Sequence, residues 1–345
     1  MPQKRMTASG TVYWSGRYRD PSGRERSRSF DTRREAKAWE DQKKLEVAAG
    51  TWTSPELGLD TLQALADTWA LQATNDGTRR IREQLAKNLG DLGPIPVGRL
   101  TTPLIRTWVG QLQHGRHWVR GCRGLADATR SSFFSQLKAM LEQATDDGVI
   151  PRNPCGKVSV PRPDTAVSWE DIPTVGQVLD LIEVARDGGR RKLTADGTRT
   201  WVRKHPHLGV AISVAAATGM RASEVAGLTW MDVDFDAAEI SVVAQAAKYG
   251  PGLTELKTRD SGRRVISVDA GTMKLLEEHR RAFPGYERVL LNHGGRPMVG
   301  TSFAMAMAHA RTYLGFPESL TPKSLRHFHA TELLRAGVPI KVVQH

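Results

Sequence analysis

Three stretches of this sequence hold side chains that can handle a phosphodiester. The first is Ala217-Thr-Gly-Met-Arg-Ala-Ser-Glu-Val-Ala-Gly-Leu-Thr-Trp230, with Arg221 and, one helical turn on, Glu224. The second is Leu256-Lys-Thr-Arg-Asp-Ser-Gly-Arg-Arg-Val-Ile266, with Lys257. The third is Leu320-Thr-Pro-Lys-Ser-Leu-Arg-His-Phe-His-Ala-Thr-Glu-Leu-Leu-Arg-Ala-Gly-Val-Pro-Ile-Lys-Val-Val343, with Lys323, Arg326 and His327. Attack on a phosphodiester builds charge on its nonbridging oxygens. A guanidinium is permanently charged and its planar fork matches two such oxygens. Two of them meeting at one phosphate make a preorganised clamp. A lysine on a turn between strands can reach out as a proton donor, and a glutamate at i+3 can orient an arginine. Each of these residues alone is an ordinary surface charge; the joint pattern is what points to a site. Asp232, Asp234 and Asp236 alternate in a row, but they read as the solvated lead-in to a strand rather than a metal-binding set.

The elements that must position these groups fall into successive regions. In residues 1–55, Thr11 to Arg19 reads as a strand, Asp20-Pro-Ser-Gly23 as a turn, and Arg24 to Phe30 as the returning strand. Thr32 and Glu35 form a capping box for a helix that stops at Gly50. The expectation is a three-stranded sheet backed by one helix. Side-chain alternation lets Arg24, Arg26 and Arg28 project together, with Arg17, Arg19, Arg33 and Arg34 nearby, as a ribbon suited to DNA.

Residues 56–150 read as four helices. Leu62, Leu65, Ala66 and Trp69 make one stripe, Ile81, Leu85 and Leu89 a second, and Leu104, Ile105, Trp108 and Leu112 a third behind Thr102-Pro103. Phe133, Leu137, Met140, Leu141 and Ala144 make the fourth. The basic loop His114 to Arg123 offers Arg116, Arg120 and Arg123 to a DNA backbone. His114, His117 and Cys122 lack the matching second pair of a metal site. Residues 151–166 are proline-rich and read as an interdomain linker with Arg152 and Lys157. Residues 167–345 read as a mostly helical domain with a small antiparallel sheet inserted.

The three motif blocks, in this order, resemble those of the tyrosine recombinases, the phage-integrase family, with Arg326 lying 105 residues after Arg221. The resemblance implies a multidomain, mainly α fold with small antiparallel sheets: an arm-type DNA-binding module in 1–55, a core-binding domain in 56–150, and a mixed α+β catalytic domain in 167–345. It implies site-specific strand cleavage and rejoining through a phosphotyrosine, with no metal or nucleotide cofactor. Arg221 and Arg326 take the family's phosphate-binding roles, Lys257 protonates the leaving 5′ oxygen, and Lys323 stands where the family motif has histidine. His327 and Glu224 support them. The implied partners are double-stranded attachment-site DNA, further copies forming a tetramer, and a host DNA-bending protein.

Against that pattern the five tyrosines, Tyr13, Tyr18, Tyr249, Tyr286 and Tyr313, all precede Arg326. The expectation is a protein truncated at its C-terminal end, before the nucleophile, able to bind DNA and unable to cut it. The alternative is a non-catalytic DNA-binding regulator or competitor occupying the same sites.

Composition agrees. Forty-nine Lys+Arg against 37 Asp+Glu give a formal charge of +12, which suits a polyanionic partner. Two cysteines exclude a disulfide scaffold and a four-cysteine zinc site. The longest apolar stretch, near 209–220, is too short to span a bilayer, and the first residues contain no apolar segment of a secretory leader. The expected location is the cytoplasm.

Overall fold

A computed structural model describes residues 1–6, 11–50, 58–162, 167–193, 197, 199–248, 250–257 and 262–343. It divides into two compact units, residues 1–165 and 166–345. The architecture is mainly α with small antiparallel sheets.

The first unit opens with β1 (Gln3–Met6), β2 (Val12–Arg19) and β3 (Glu25–Phe30), paired antiparallel in that order, and α1 (Arg33–Ala48). Thr32 and Glu35 close the expected capping box. Gly16 stands where a β-carbon would lie 3.0 Å from the Ala36 carbonyl and from the Trp39 ring, so its lack of a side chain lets α1 seat on the sheet. Trp39 then meets Tyr18 edge-on and Phe30 at a tilt. Glu40, fully buried, accepts the Arg17 backbone N–H at 2.9 Å and faces the N-terminal ammonium at 3.6 Å.

Four helices follow: α2 (Leu62–Leu71), α3 (Asp76–Ala86), α4 (Thr102–His114) and α5 (Asp127–Asp146). Leu62, Leu85, Leu89, Ile105, Trp108, Leu112, Leu137 and Leu141 form their core, and Trp108 donates its indole N–H to Asn88 O at 2.9 Å. One stripe residue departs from expectation. Ile81 is exposed, because α3 turns instead to lay the Arg82 guanidinium over Trp69, 3.6 Å from the ring centroid. Cys155 is buried in this same core, which pushes its thiol up to about 12.

The second unit contains α6 (Val175–Asp187), β4 (Gly189–Leu193), β5 (Arg199–Val202), α7 (Pro206–Thr218) and α8 (Ala222–Gly227). Next come β6 (Val233–Asp234), β7 (Glu239–Val242), β8 (Gln245–Ala246), β9 (Leu253–Thr254) and β10 (Arg264–Ser267). The last helices are α9 (Ala270–Ala282), α10 (Gly300–Leu314), α11 (Pro322–Arg335) and α12 (Ile340–Val343). α7 is apolar all round and buried, as a central helix must be. The strands on either side of Lys257 belong to different sheets: β9 pairs with β8, and β10 pairs with β7. Leu256 separates them by plunging into the core. The β4–β5 ribbon between α6 and α7 was not legible in the sequence.

Candidate active site

The site begins where α7 stops. Gly219 takes a left-handed φ of 62°, and a β-carbon there would lie 2.7 Å from the His329 ring, so geometry and space both require glycine. The Thr218 hydroxyl donates to Val214 O, and Met220 N–H returns to that hydroxyl. Arg221 follows as the residue capping α8. Its backbone N–H donates to Glu224 at 3.0 Å and its guanidinium to the other carboxylate oxygen at 2.7 Å.

Glu224 is 1% exposed and has a second partner: Arg264 of β10 donates to it at 2.8 Å. Burial pushes the Glu224 carboxyl up, but its hydrogen bonds from Arg264 and Arg221 outweigh that and hold it below the ordinary value. The Arg221 side chain remains 39% exposed, open to an incoming group.

Arg326 arrives from the second turn of α11 and donates to Gly219 O at 2.7 Å. Burial lowers the pKa of its guanidinium, and the like charges of Arg221 and Arg264 lower it further, against an opposing pull from Glu224. Two guanidiniums thus share one carboxylate, and the third is held beside them on the Gly219 carbonyl. A surplus of positive charge held in place in this way is suited to an anion. The sequence pattern located Arg221, Glu224 and Arg326. It missed Arg264, whose visible signal was only its place in a basic strand, and His329, which packs under Gly219 one turn beyond Arg326.

The remaining candidates lie around this core in different states. Lys257 is exposed on the turn after β9. Its strand is tied to α8 through Gln245, whose amide donates to Glu255 O at 2.8 Å while its carbonyl accepts from the Ser223 hydroxyl at 2.9 Å. Thr258 to Ser261, expected to complete that turn, lie outside the described residues. Lys323 is exposed at the start of α11. Burial, then the charges of Lys323 and Arg326, push His327 down, and its Nε2 is buried without a hydrogen-bond partner among the described residues. Asp232 accepts from Thr229, and Asp234 from Asp236 N–H and Ala237 N–H, so both close local turns. No group of three or more His, Cys, Asp or Glu that could hold a metal occurs among the described residues.

In the first unit the proposed DNA contacts are unequally available. Register places Arg26 opposite Tyr18 and Arg28 opposite Gly16, on the sheet face that α1 covers, because Phe30 in the same alternation is needed there. Arg26 donates to Asp20 at 3.0 Å and Arg28 lies over the Phe30 ring. Asp20 also binds Ser22 and the Arg24 backbone N–H, so it organises the turn. Arg17 and Arg19 share the other face, Arg17 in an ion pair with Glu25 at 3.1 Å. Arg116 holds its own loop, donating to Asn88 at 2.5 Å and to Arg123 O at 3.0 Å, and His117 meets Asp91 at 3.0 Å. Arg24, Arg120, Arg123, Arg152 and Lys157 are exposed, the last two beside a cavity at the start of α4.

Residues 202–345 match the phage integrase family. Among curated relatives, tyrosine recombinase XerC of Roseiflexus castenholzii is 24% identical over 234 residues, 64% of each chain. XerC of Leptospira interrogans is 33% identical over 109 residues, 30% of this chain and 35% of that one. The match thus spans 64% of the length of the first of these relatives and about a third of the second. Among solved structures, the Tn1549 transposon integrase bound to a circular intermediate DNA superposes with a TM-score of 0.67 at 22% identity. That match covers 82% of this chain and 90% of that one. A lambda integrase tetramer bound to a Holliday junction gives 0.60 at 18%, covering 100% and 94%. The fold over most of the chain is that of the tyrosine recombinase integrases, and residues 202–345, which hold the three motif blocks in order, carry the phage integrase family match.

Proposed function

We propose that this protein is a site-specific DNA recombinase of the phage-integrase type, cleaving and rejoining strands through a phosphotyrosine. The observation that carries the reading is that Arg221 and Arg264 share the single buried carboxylate of Glu224 while Arg326 is tied to Gly219 O, two residues before Arg221. A scissile phosphate supplies the negative charge this pocket lacks. Arg221 and Arg326 grip its nonbridging oxygens, Lys257 protonates the leaving 5′ oxygen, and Lys323 donates a further hydrogen bond in place of a histidine. Glu224 and His327 position the clamp. Side chains alone supply this chemistry, with no metal or nucleotide cofactor.

Residues 1–55 serve as an arm-type DNA-binding domain and 56–150 as a core-binding domain, joined through 151–166 to the catalytic residues 167–345. The partners are attachment-site duplexes, further protomers completing a tetramer and a host DNA-bending protein, in the cytoplasm of a bacterial or phage-infected cell. All five tyrosines precede Arg326. Residues 1–345 by themselves are therefore expected to hold the phosphate without forming a covalent bond, because strand exchange needs a nucleophile beside the clamp.

A nicked suicide duplex tests both statements. A longer form with a tyrosine beyond His345 should be trapped covalently on it; residues 1–345 should bind it and release it intact. Covalent trapping of residues 1–345 would refute the assignment of the nucleophile. If neither form binds, the recombinase reading fails. Binding without trapping by both favours the second reading, a regulator that occupies sites without cutting.

A further inference from the structure

The β4–β5 ribbon is a charged surface that the arginine clamp does not use. Residues 189–204 contain six Arg or Lys and one acid. Arg190, Arg191, Lys192 and Leu193 are all exposed, and Trp201 is 55% exposed. Among the described residues no carboxylate forms an ion pair with Arg190, Arg191 or Lys192.

The ribbon is also built to hold a shape. Gly188 leaves α6 with a φ of 82°, and a β-carbon there would lie 3.0 Å from the Lys204 nitrogen. A β-carbon on Gly189 would strike the Tyr313 ring at 2.4 Å, so the root of the ribbon is pinned against α10. The Lys192 ammonium sits over the other end of that contact, 4.1 Å from the Tyr313 centroid. Between the pairs Gly189–Val202 and Lys192–Thr200 the register slips by one residue. This bulge sets Arg190 and Arg191 together opposite Trp201. Bulges re-aim side chains, and here two guanidiniums are concentrated beside one exposed indole.

A solvated edge would explain scattered lysines. It does not explain a fixed, bulged ribbon with adjacent arginines, an exposed tryptophan and almost no acid. We infer that the β4–β5 ribbon is a second duplex-DNA contact, with Arg190 and Arg191 on backbone phosphates and Trp201 against the sugar edge. The ribbon precedes α7 and Arg221 follows it, so the 13 residues of α7, about 20 Å of helix, separate the two. The phosphates it meets are therefore not those in the clamp. The inference rests on the DNA-binding reading above and extends it to a surface outside the three motif blocks.

The test is the salt dependence of binding to a random-sequence duplex. Each phosphate contact contributes about 0.9 to the slope of log affinity against log salt. Arg190→Gln with Arg191→Gln should lower that slope by about 2 and weaken binding roughly tenfold near 0.1 M salt. Arg190→Lys with Arg191→Lys should restore most of the slope, and both variants should melt with the parent. Arg221→Gln with Arg326→Gln serves as the separate control on the clamp. If the clamp variant loses affinity and the ribbon variant keeps the parental slope, the ribbon inference is overturned while the recombinase reading stands. If the ribbon variant loses slope and the clamp variant does not, the ribbon stands and the clamp reading fails. A ribbon variant that changes only the sedimentation of the protein, with its slope intact, marks a protein-contact surface and also overturns the inference.

Discussion

Arg326 donates a hydrogen bond to the carbonyl oxygen of Gly219 at 2.7 Å, across 107 residues of sequence. The bond fixes the second arginine to the turn that launches the first. The orientation of each guanidinium therefore depends on the backbone of a glycine, and that glycine is held in place by His329 from the same helix as Arg326.

Gly219→Ala should accordingly damage more than a helix end. The left-handed conformation costs an alanine about 1 kcal/mol, and displacing His329 adds to it. The expected loss is about 2–3 kcal/mol in urea unfolding, with DNA affinity falling further than in an equally destabilised core variant elsewhere in the second unit.

Glu224→Gln removes the charge that two arginines share. Breaking a buried pair by neutralising one partner typically costs about 3–5 kcal/mol. The carboxyl is held below its ordinary value, so its contribution is present above that value, 4.5, and is lost as pH falls through the lower folded one. Acid unfolding followed by circular dichroism should show the parent losing stability below pH 4.5 and the Gln variant losing less of it there.

The three guanidiniums repel one another across the pocket, so an anion that enters should stabilise the fold. Sulfate should stabilise the fold more than chloride at equal ionic strength, by about 1–3 kcal/mol at concentrations well above its dissociation constant, and raise the melting temperature accordingly. Arg326→Gln should abolish the difference. An equal response in the variant would move the anion elsewhere.

A second pH dependence comes from histidines far from the clamp. Burial, then the charges of His293, His207 and Arg203, push His205 down to about 4; burial and His207 do the same to His279. His279 Nε2 lies 2.9 Å from His207 Nδ1, and the His205 and His293 rings are 4.0 Å apart. Depressed histidines favour the folded state when neutral. Their contribution is whole above the unfolded value of 6.5 and declines as pH falls toward 4, because the unfolded protein takes up protons first. The melting temperature should drop over that window, and His279→Gln should flatten part of the decline.

Much of this architecture is legible in the residues alone. The cap at Thr32, the apolar run of α7 and the arginine blocks depend on local chemistry and short spacing, which sequence carries directly. What stays hidden depends on pairing across distance. Arg264 looks like any strand arginine until β10 is laid beside β7 and its side chain meets Glu224. The alternation that puts Arg26 and Arg28 on one face is visible; that α1 covers that face is decided by Gly16, Tyr18 and Phe30. The β4–β5 ribbon is concealed because its charges mask the alternation that usually marks a strand.

Ser223 and Glu224, neighbours on the six-residue α8, are fastened to different sheets: Ser223 to Gln245 of β8, Glu224 to Arg264 of β10. The little helix works as a yoke. Both strands are therefore anchored on the short helix that Arg221 caps. Under the proposed function, a load on the Lys257 turn would bear on the seat of Arg221 without touching its side chain.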